Sequence, residues 1–232
     1  MDWFKRRNKQ YFSYDHDIHS HILPGLDDGV KRVEDSVVIV KKMLELGVKQ
    51  FSFTPHISFP SPMNTPEIIL EKLNELKKCL LKEKIEIEAD AGAEYKIGEY
   101  MIDLIRQGNI ASFHGGKVLV EHSFVAPSPA FEEVIFRLQD KGYTPVLAHP
   151  ERYPFYAKHL TERVWELKRR GCRIQVNLLS FVGFYGKEAM AGARELLVAR
   201  LIDYFSGDIH SVKQVELLEK FLKSKESEKL LV

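Results

Sequence analysis

With 232 residues, 44% of them hydrophobic, the chain carries enough apolar material for one large α/β domain. Its 34 basic and 33 acidic residues nearly cancel at a net +1, and the absence of a long basic block argues against a nucleic-acid footprint. No run approaches ~18 consecutive apolar residues and no secretory stretch opens the chain, which argues against a membrane span or a signal peptide. Cys79 and Cys172 stand far apart without a partner motif, as in the reducing cytosol, so a soluble cytoplasmic protein is expected.

Apolar or alternating runs take turns with amphipathic stretches seven times. Tyr14–His19 is the first strand, and Val37, Val38, Val40, Met43, Leu44 and Leu46 then recur at helical spacing until Gly47 stops the helix. Lys49–Thr54 alternates with period two through Phe51-Ser52-Phe53-Thr54. A helix over Pro66–Glu83 opens on a proline, whose fixed φ suits a first turn. Strand Ile85–Ala93 and helix Tyr100–Gln107 follow, then Lys117–Glu121, a buried-type strand through Val118-Leu119-Val120. Helix Pro129–Lys141, strand Thr144–Ala148, helix Thr161–Gly171, strand Arg173–Asn177, helix Lys187–Arg200, strand Asp203–Ser206 and helix Ser211–Lys223 complete the series. Such alternation predicts βα units, a parallel sheet and right-handed crossovers, and seven units are better housed by a closed barrel than an open sheet. One domain is expected over residues 1–232, with 1–13 as an N-terminal extension and 211–232 as a C-terminal helix and tail. The loops Ile57–Thr65, His122–Ser128 and Leu178–Gly186 are long, as loops that shape a site often are.

Metal-type side chains stand where these strands give way to loops. His19 and His21 follow the first strand, with Asp28 in the turn beyond; His56, Glu94, Glu121 and His149 follow later strands, and Asp208 and His210 follow the last. His19 and His21 are two apart, so both point to one side of an extended segment. Any one of these residues alone reads as a solvated or hydrogen-bonded side chain, and Asp27-Asp28-Gly29 alone reads as a turn. The repetition at six of seven strand ends is what counts, because barrel loops after the strands open on one face. Five imidazoles and four carboxylates exceed the needs of one ion, which points to a hydrolytic site with two or three divalent metals. At the fourth strand end His122 competes with Glu121, since neighbours on a strand face opposite ways. Asn177 ends the sixth strand, either supporting a ligand or capping the loop. His16, His114 and His159 fall outside the pattern.

The ordered segments resemble the PHP (polymerase and histidinol phosphatase) superfamily, and within it the protein-tyrosine phosphatases of bacterial capsule and exopolysaccharide gene clusters. Asp17-Ile18-His19-Ser20-His21-Ile22-Leu23-Pro24 with Asp27-Asp28-Gly29, and Ala148-His149-Pro150-Glu151-Arg152-Tyr153, are the specific ones. Thr54-Pro55-His56, Gly92-Ala93-Glu94, Val120-Glu121 and Gly207-Asp208-Ile209-His210 complete the match from about Asp15 to His210. The resemblance implies a distorted seven-stranded (β/α)7 barrel of PHP type with its metal site at the C-terminal ends of the strands. It implies a trinuclear centre, with Mn2+ first and Fe, Zn or Co as alternatives, in which Glu94 bridges metals and Glu94, His149 and Arg152 serve catalysis. Arg152 would contact phosphate, where the plain reading is an ion pair with Glu151. The implied substrate is a tyrosine-phosphorylated protein, a bacterial tyrosine kinase controlling polysaccharide export; a histidinol-phosphate-type phosphatase or a non-catalytic metal-holding module are the alternatives. This chain departs from the family in its N-terminal extension and in Gly207, where serine is common.

Three divalent ions would carry more charge than Asp28, Glu94, Glu121 and Asp208 offset, leaving a pocket suited to a phosphate dianion that Arg152's planar fork also fits. A phenol leaving group, with pKa ~10, needs less proton donation than an alkoxide, which suits a site with no evident dedicated acid. Phe59, Tyr153, Phe155, Tyr156, Phe181, Phe184 and Tyr185 crowd the loops at the expected mouth. Phe59, Tyr153 and Tyr185 are the expected ring contacts for substrate, against the alternative that such rings merely pack the loops. Trp3-Phe4-Lys5-Arg6-Arg7 suits a peripheral contact with an anionic membrane or a kinase, or a plain chain terminus.

Overall fold

Among the described residues every strand pair is parallel, as the βα alternation requires. The computed structural model describes residues 14–60 and 64–231. Its strands are β1 (His16–Asp17), β2 (Gln50–Phe53), β3 (His56–Ile57), β4 (Glu88–Ala91), β5 (Glu94–Lys96), β6 (Lys117–Glu121), β7 (Thr144–Ala148), β8 (Arg173–Asn177) and β9 (Tyr204–Ser206). The helices are α1 (Val33–Glu45), α2 (Pro66–Lys82), α3 (Glu99–Gln107), α4 (Phe131–Asp140), α5 (Leu160–Arg169), α6 (Lys187–Ala199), α7 (Val212–Leu222) and α8 (Lys225–Leu231). Their starts follow local chemistry: Thr65 Oγ1 accepts from Ile68 N at 3.3 Å ahead of Pro66, and Ser211 Oγ accepts from Gln214 N at 3.4 Å.

The pairing shows the expected parallel α/β fold, though not one continuous ring of seven strands. Among the described residues the ladders form a three-stranded sheet, β1-β2-β4, and a six-stranded sheet, β3-β5-β6-β7-β8-β9. The division has a covalent cause. Pro55, which has no N–H to give a ladder, separates β2 from β3. Gly92 lies at the break between β4 and β5, where a Cβ would come within 2.8 Å of the Phe113 ring. Gly92 N donates to Phe53 O at 2.9 Å and Glu94 N to Pro55 O at 3.0 Å, so the chain is tied across both breaks. At the other edge Ser20 and Ile209 form an isolated parallel bridge, with Asp208 N donating to His19 O at 2.9 Å.

Alternation along the strands decides what faces where. Val118 and Val120 of β6 join the large cluster that packs the helices, while Leu119 joins Ile18, Phe113, Val146 and Ala148 in a separate small core. Glu121, two residues beyond Leu119, therefore emerges on the same face as that small core. Gln175 and Asn177 of β8 alternate in the same way with Ile174 and Val176 and are fully buried polar groups.

The tail after α7 is helical: α8 buries Leu231 and Ser227. The Trp3–Arg7 segment lies outside the described residues. Cys172 is buried, and burial pushes its thiol up to about 12. Alkylation of the native protein near pH ~8 should leave Cys172 unmodified, with labelling by mass only after denaturation. Rapid native labelling of Cys172 would contradict the packing.

Candidate metal centre

The strand ends deliver their imidazoles and carboxylates into contact. Four groups bring ligand atoms within 4.8 Å of one another: His21, Asp28, His56 and His210; His19, Glu94 and His149; His19, His21 and Asp208; and His56, Glu94 and Glu121. All nine residues singled out by their place in the sequence fall in these groups. Glu94, like His19, His21 and His56, belongs to two of the groups, and it meets the most histidines. Its Oε2 lies 3.1 Å from His19 Nε2, 3.3 Å from His21 Nε2 and 3.2 Å from His56 Nδ1, and its Oε1 lies 3.0 Å from His149 Nε2. Asp208 Oδ1 is 3.3 Å from His19 Nε2 and 3.4 Å from His21 Nε2.

The outer nitrogens of His19 and His21 are already committed. His19 Nδ1 donates to Gln175 Oε1 at 3.0 Å, and His21 Nδ1 donates to Asp27 Oδ2 at 2.7 Å. Both Nε2 atoms therefore face inward, 3.1 Å apart. Once deprotonated, the two imidazoles would face each other with lone pairs, an arrangement that suits a cation between them. His56 Nδ1 and His149 Nδ1 are buried without a hydrogen bond. The donor set, nitrogen and carboxylate oxygen with the outer nitrogens of His19 and His21 fixed, fits divalent metal ligation.

Asp27, read from sequence only as part of a turn, is one of these supports. Its carboxylate also accepts from His56 N at 2.8 Å and Gly29 N at 2.9 Å. Gly29 is required there, because a Cβ would fall 2.0 Å from His21 O. Asp28 itself is exposed and reaches His56 Nε2 and His210 Nε2 at 3.6 Å. Asn177 acts as a support: its Nδ2 donates to Asp208 Oδ2 at 2.7 Å. His149 and Asp208 have left-handed backbone, with φ of 36° and 50°, a conformation that non-glycine residues adopt rarely and chiefly at functional sites.

Electrostatics follow from burial and crowding. Burial opposes charge on Glu94, but His19, His56 and His149 hold it well below the usual carboxylate range. Burial and the Glu94 charge push Glu121 up to about 8. Burial also opposes charge on His19, yet Glu94 and Asp208 raise it to about 9. Burial, helped by Arg152, lowers His149 to about 4.

His122 faces elsewhere. Its Nε2 meets Tyr156 Oη at 3.1 Å, its Nδ1 accepts from Ser128 N at 3.3 Å, and burial lowers it to about 4. The ring packs against Phe131, Tyr153 and Phe155, outside all four ligand groups. His16 bonds Ser52 and His159 pairs with Glu162, both outside the cluster as well.

Arg152 Nη1 donates to Asp208 Oδ2 at 2.8 Å, so its ion-pair partner is Asp208 and not Glu151. Glu151 turns inward, its Oε1 accepting from Asn177 N and Ser180 Oγ. The Arg152 guanidinium carbon lies 4.0 Å from the Tyr185 ring centre, and Tyr185 Oη donates to Asp208 Oδ2 at 3.3 Å. The expectation that Tyr153 contacts substrate is corrected: it is 1% exposed, and its hydroxyl is occupied by Ala148 O and His122 N. Phe59 is exposed but lies beside Tyr100 in a groove with Lys96 and Gly98. Phe124, in the flagged loop but not singled out from sequence, has Arg152 Cζ 4.7 Å from its ring centre.

Parallel strands whose ends converge on imidazoles and carboxylates define an α/β protein of PHP type with a pocket whose donor set suits divalent metals. The sequence profile described as capsular polysaccharide synthesis, CpsB/CapC, matches residues 15–219, and the chain belongs to that family. Over 198 residues, 85% of this chain and 78% of the relative, it is 32% identical to tyrosine-protein phosphatase YwqE of Bacillus subtilis. It is 27% identical over 197 residues, 84% of this chain and 77% of the relative, to putative tyrosine-protein phosphatase CapC of Staphylococcus aureus. Its structure superposes with a TM-score of 0.79 and 30% identity on a chain from the crystal structures of YwqE of B. subtilis and CpsB of Streptococcus pneumoniae. Those two are described as unique metal-dependent tyrosine phosphatases, and the match covers 93% of this chain and 90% of that one.

Two outcomes are expected. Glu121→Ala should lower the metal content of the purified protein, measured by elemental analysis, whereas His122→Phe should leave it unchanged; the reverse result would exchange their assignments. His19, raised to about 9, must release its proton before Nε2 can bind a cation. Cation affinity should therefore rise with pH up to about 9, with proton release visible as buffer-dependent heat in calorimetry. Affinity independent of pH below that value would contradict the geometry.

Proposed function

We propose that this chain is a metal-dependent protein-tyrosine phosphatase, with residues 1–232 as one catalytic domain. The observation that carries the reading is the buried Glu94 carboxylate, set within 3.0–3.3 Å of four imidazoles from three other strand ends. Relatives that share most of the chain's length and are named tyrosine-protein phosphatases support it. We read the two sheets, tied across Pro55 and Gly92 and bridged at Ser20–Ile209, as a distorted seven-stranded (β/α)7 barrel with the site at the C-terminal strand ends.

His19, His21, Asp28, His56, Glu94, Glu121, His149, Asp208 and His210 would hold two or three divalent ions, manganese first, with iron, zinc or cobalt accepted by the same donors. Bound there, such ions supply Lewis acidity and water activation at neutral pH. Glu94 bridges the groups and fixes their spacing. Arg152 presents its planar fork beside Asp208, where it meets the equatorial oxygens of a phosphoryl group. Asp27 and Gln175 keep His21 and His19 turned inward throughout the reaction. The leaving group is a phenol of pKa ~10, so departure needs little proton donation.

The substrate we infer is a phosphorylated tyrosine on a protein, and the family's tie to capsular polysaccharide synthesis favours a bacterial tyrosine kinase that governs polysaccharide export, met in the cytoplasm. Glu94→Ala and His149→Ala should each lower kcat/KM on a phosphotyrosine peptide by at least about 10³-fold, as should chelation of the metal. Near-normal turnover in either variant would end the assignment. Faster hydrolysis of histidinol phosphate than of the peptide would keep the centre and move the substrate.

A further inference from the structure

We propose that Phe124 is a specificity-determining residue, the platform on which the substrate's aromatic ring stacks, so that the site prefers aryl to alkyl phosphates. The inference deepens the phosphotyrosine reading and rests on it. Phe124 joins the two halves of the pocket. Its ring centre lies 5.8 Å from that of His149, with planes 23° apart, and Arg152 Cζ sits 4.7 Å from it. The ring is nevertheless 42% exposed. A half-exposed phenyl ring in contact with both a cluster imidazole and the arginine suited to phosphate is placed where the organic part of a bound phosphate ester would lie.

The other rings near the mouth are less available. Tyr153 is buried, and Tyr185 holds Arg152 closer than Phe124 does, at 4.0 Å against 4.7 Å, while its hydroxyl serves Asp208. Phe184 stands edge-on to Tyr185 and lines a separate groove with Ser211 and Lys213. Phe59 keeps to Tyr100 and Lys96. The loop that presents Phe124 is pinned: His122 Nδ1 accepts from Ser128 N, and His122 N donates to Tyr153 Oη at 3.0 Å, closing the segment at its base. Phe124 is thus pre-positioned, and stacking costs little ordering.

In a phosphotyrosine the ester oxygen joins phosphorus directly to a ring carbon. A phosphoryl group held beside Arg152 therefore brings the substrate ring into offset-stacking range of Phe124, whereas phosphoserine places a slim methylene there. The slot thus discriminates by area and ring geometry and needs no polar contact.

The test uses the full-length, manganese-loaded protein and two peptides that differ only in phosphotyrosine or phosphoserine. Phe124→Leu should lower the ratio of kcat/KM for phosphotyrosine over phosphoserine by about tenfold, chiefly through KM, and Phe124→Trp should restore it. In parallel, calorimetry with non-hydrolysable aryl and alkyl phosphonates should show weaker binding of the aryl compound alone in Phe124→Leu. An equal loss on both peptides would assign Phe124 to holding Arg152 and overturn the proposal, as would an unchanged ratio. Should the unaltered protein turn over neither peptide, the phosphatase reading fails; the phosphonate comparison still decides Phe124, because equal effects on both phosphonates, or binding of neither, refute it.

Discussion

One buried carboxylate among inward-facing imidazoles sets the terms for the rest of this structure. Glu94 is about 1% exposed and lies within hydrogen-bond distance of four histidine nitrogens, two of which also face each other at 3.1 Å. Buried charge without compensation is costly, and lone pairs facing lone pairs add to the cost. Such a cluster is held only by groups that give its members no alternative. Gln175 and Asp27 take the outer nitrogens of His19 and His21, Asn177 takes one oxygen of Asp208, and His149 and Asp208 sit in left-handed backbone that their neighbours impose. The fold keeps a strained and crowded site because the strand ends around it are locked by parallel pairing.

The surroundings of the cluster divide by chemistry. On one side Arg152 lies over Tyr185 and near Phe124, with one N–H on Asp208, so a planar cation borders the acidic ligands without neutralising Glu94. Behind it, Glu151 is buried and pushed up to about 7 by burial, bonded to Ser180 and the Asn177 amide. Next to Glu121, His122 and the rings of Phe131, Tyr153, Phe155 and Tyr156 form an apolar wall. That wall anchors the loop after β6 and leaves the carboxylate as the group that turns toward the ligands.

Much of this was legible in the chain itself, and the exceptions have physical reasons. β6, β7 and β8 have the bounds read from the sequence, β6 and β7 around apolar runs buried on both faces and β8 through the alternation of Ile174 and Val176 with polar residues. β3 and β5 were invisible as separate strands, since two or three residues carry no readable period; Pro55 and Gly92 marked the breaks without saying which sheet the chain would enter. Tyr153 looked like a mouth residue because its neighbours His149 and Arg152 are at the mouth. A 3-10 turn over Pro150–Arg152 instead sends its ring back into the core. Phe124 was hidden for the opposite reason: a lone aromatic in a loop has no pattern until the loop is closed by His122 and Ser128.

The sequence by itself determined which residue types stand at the strand ends, and hence that nitrogen and oxygen donors would gather on one face. That follows from alternation of strands and helices, a property of the chain in order. Only the tertiary structure decided which of two neighbours faces inward, as with Glu121 and His122, and that Glu94 meets four of the five histidines. It alone revealed the partners Asp27 and Gln175, because side-chain direction and long-range hydrogen bonds exist only once distant strands lie side by side.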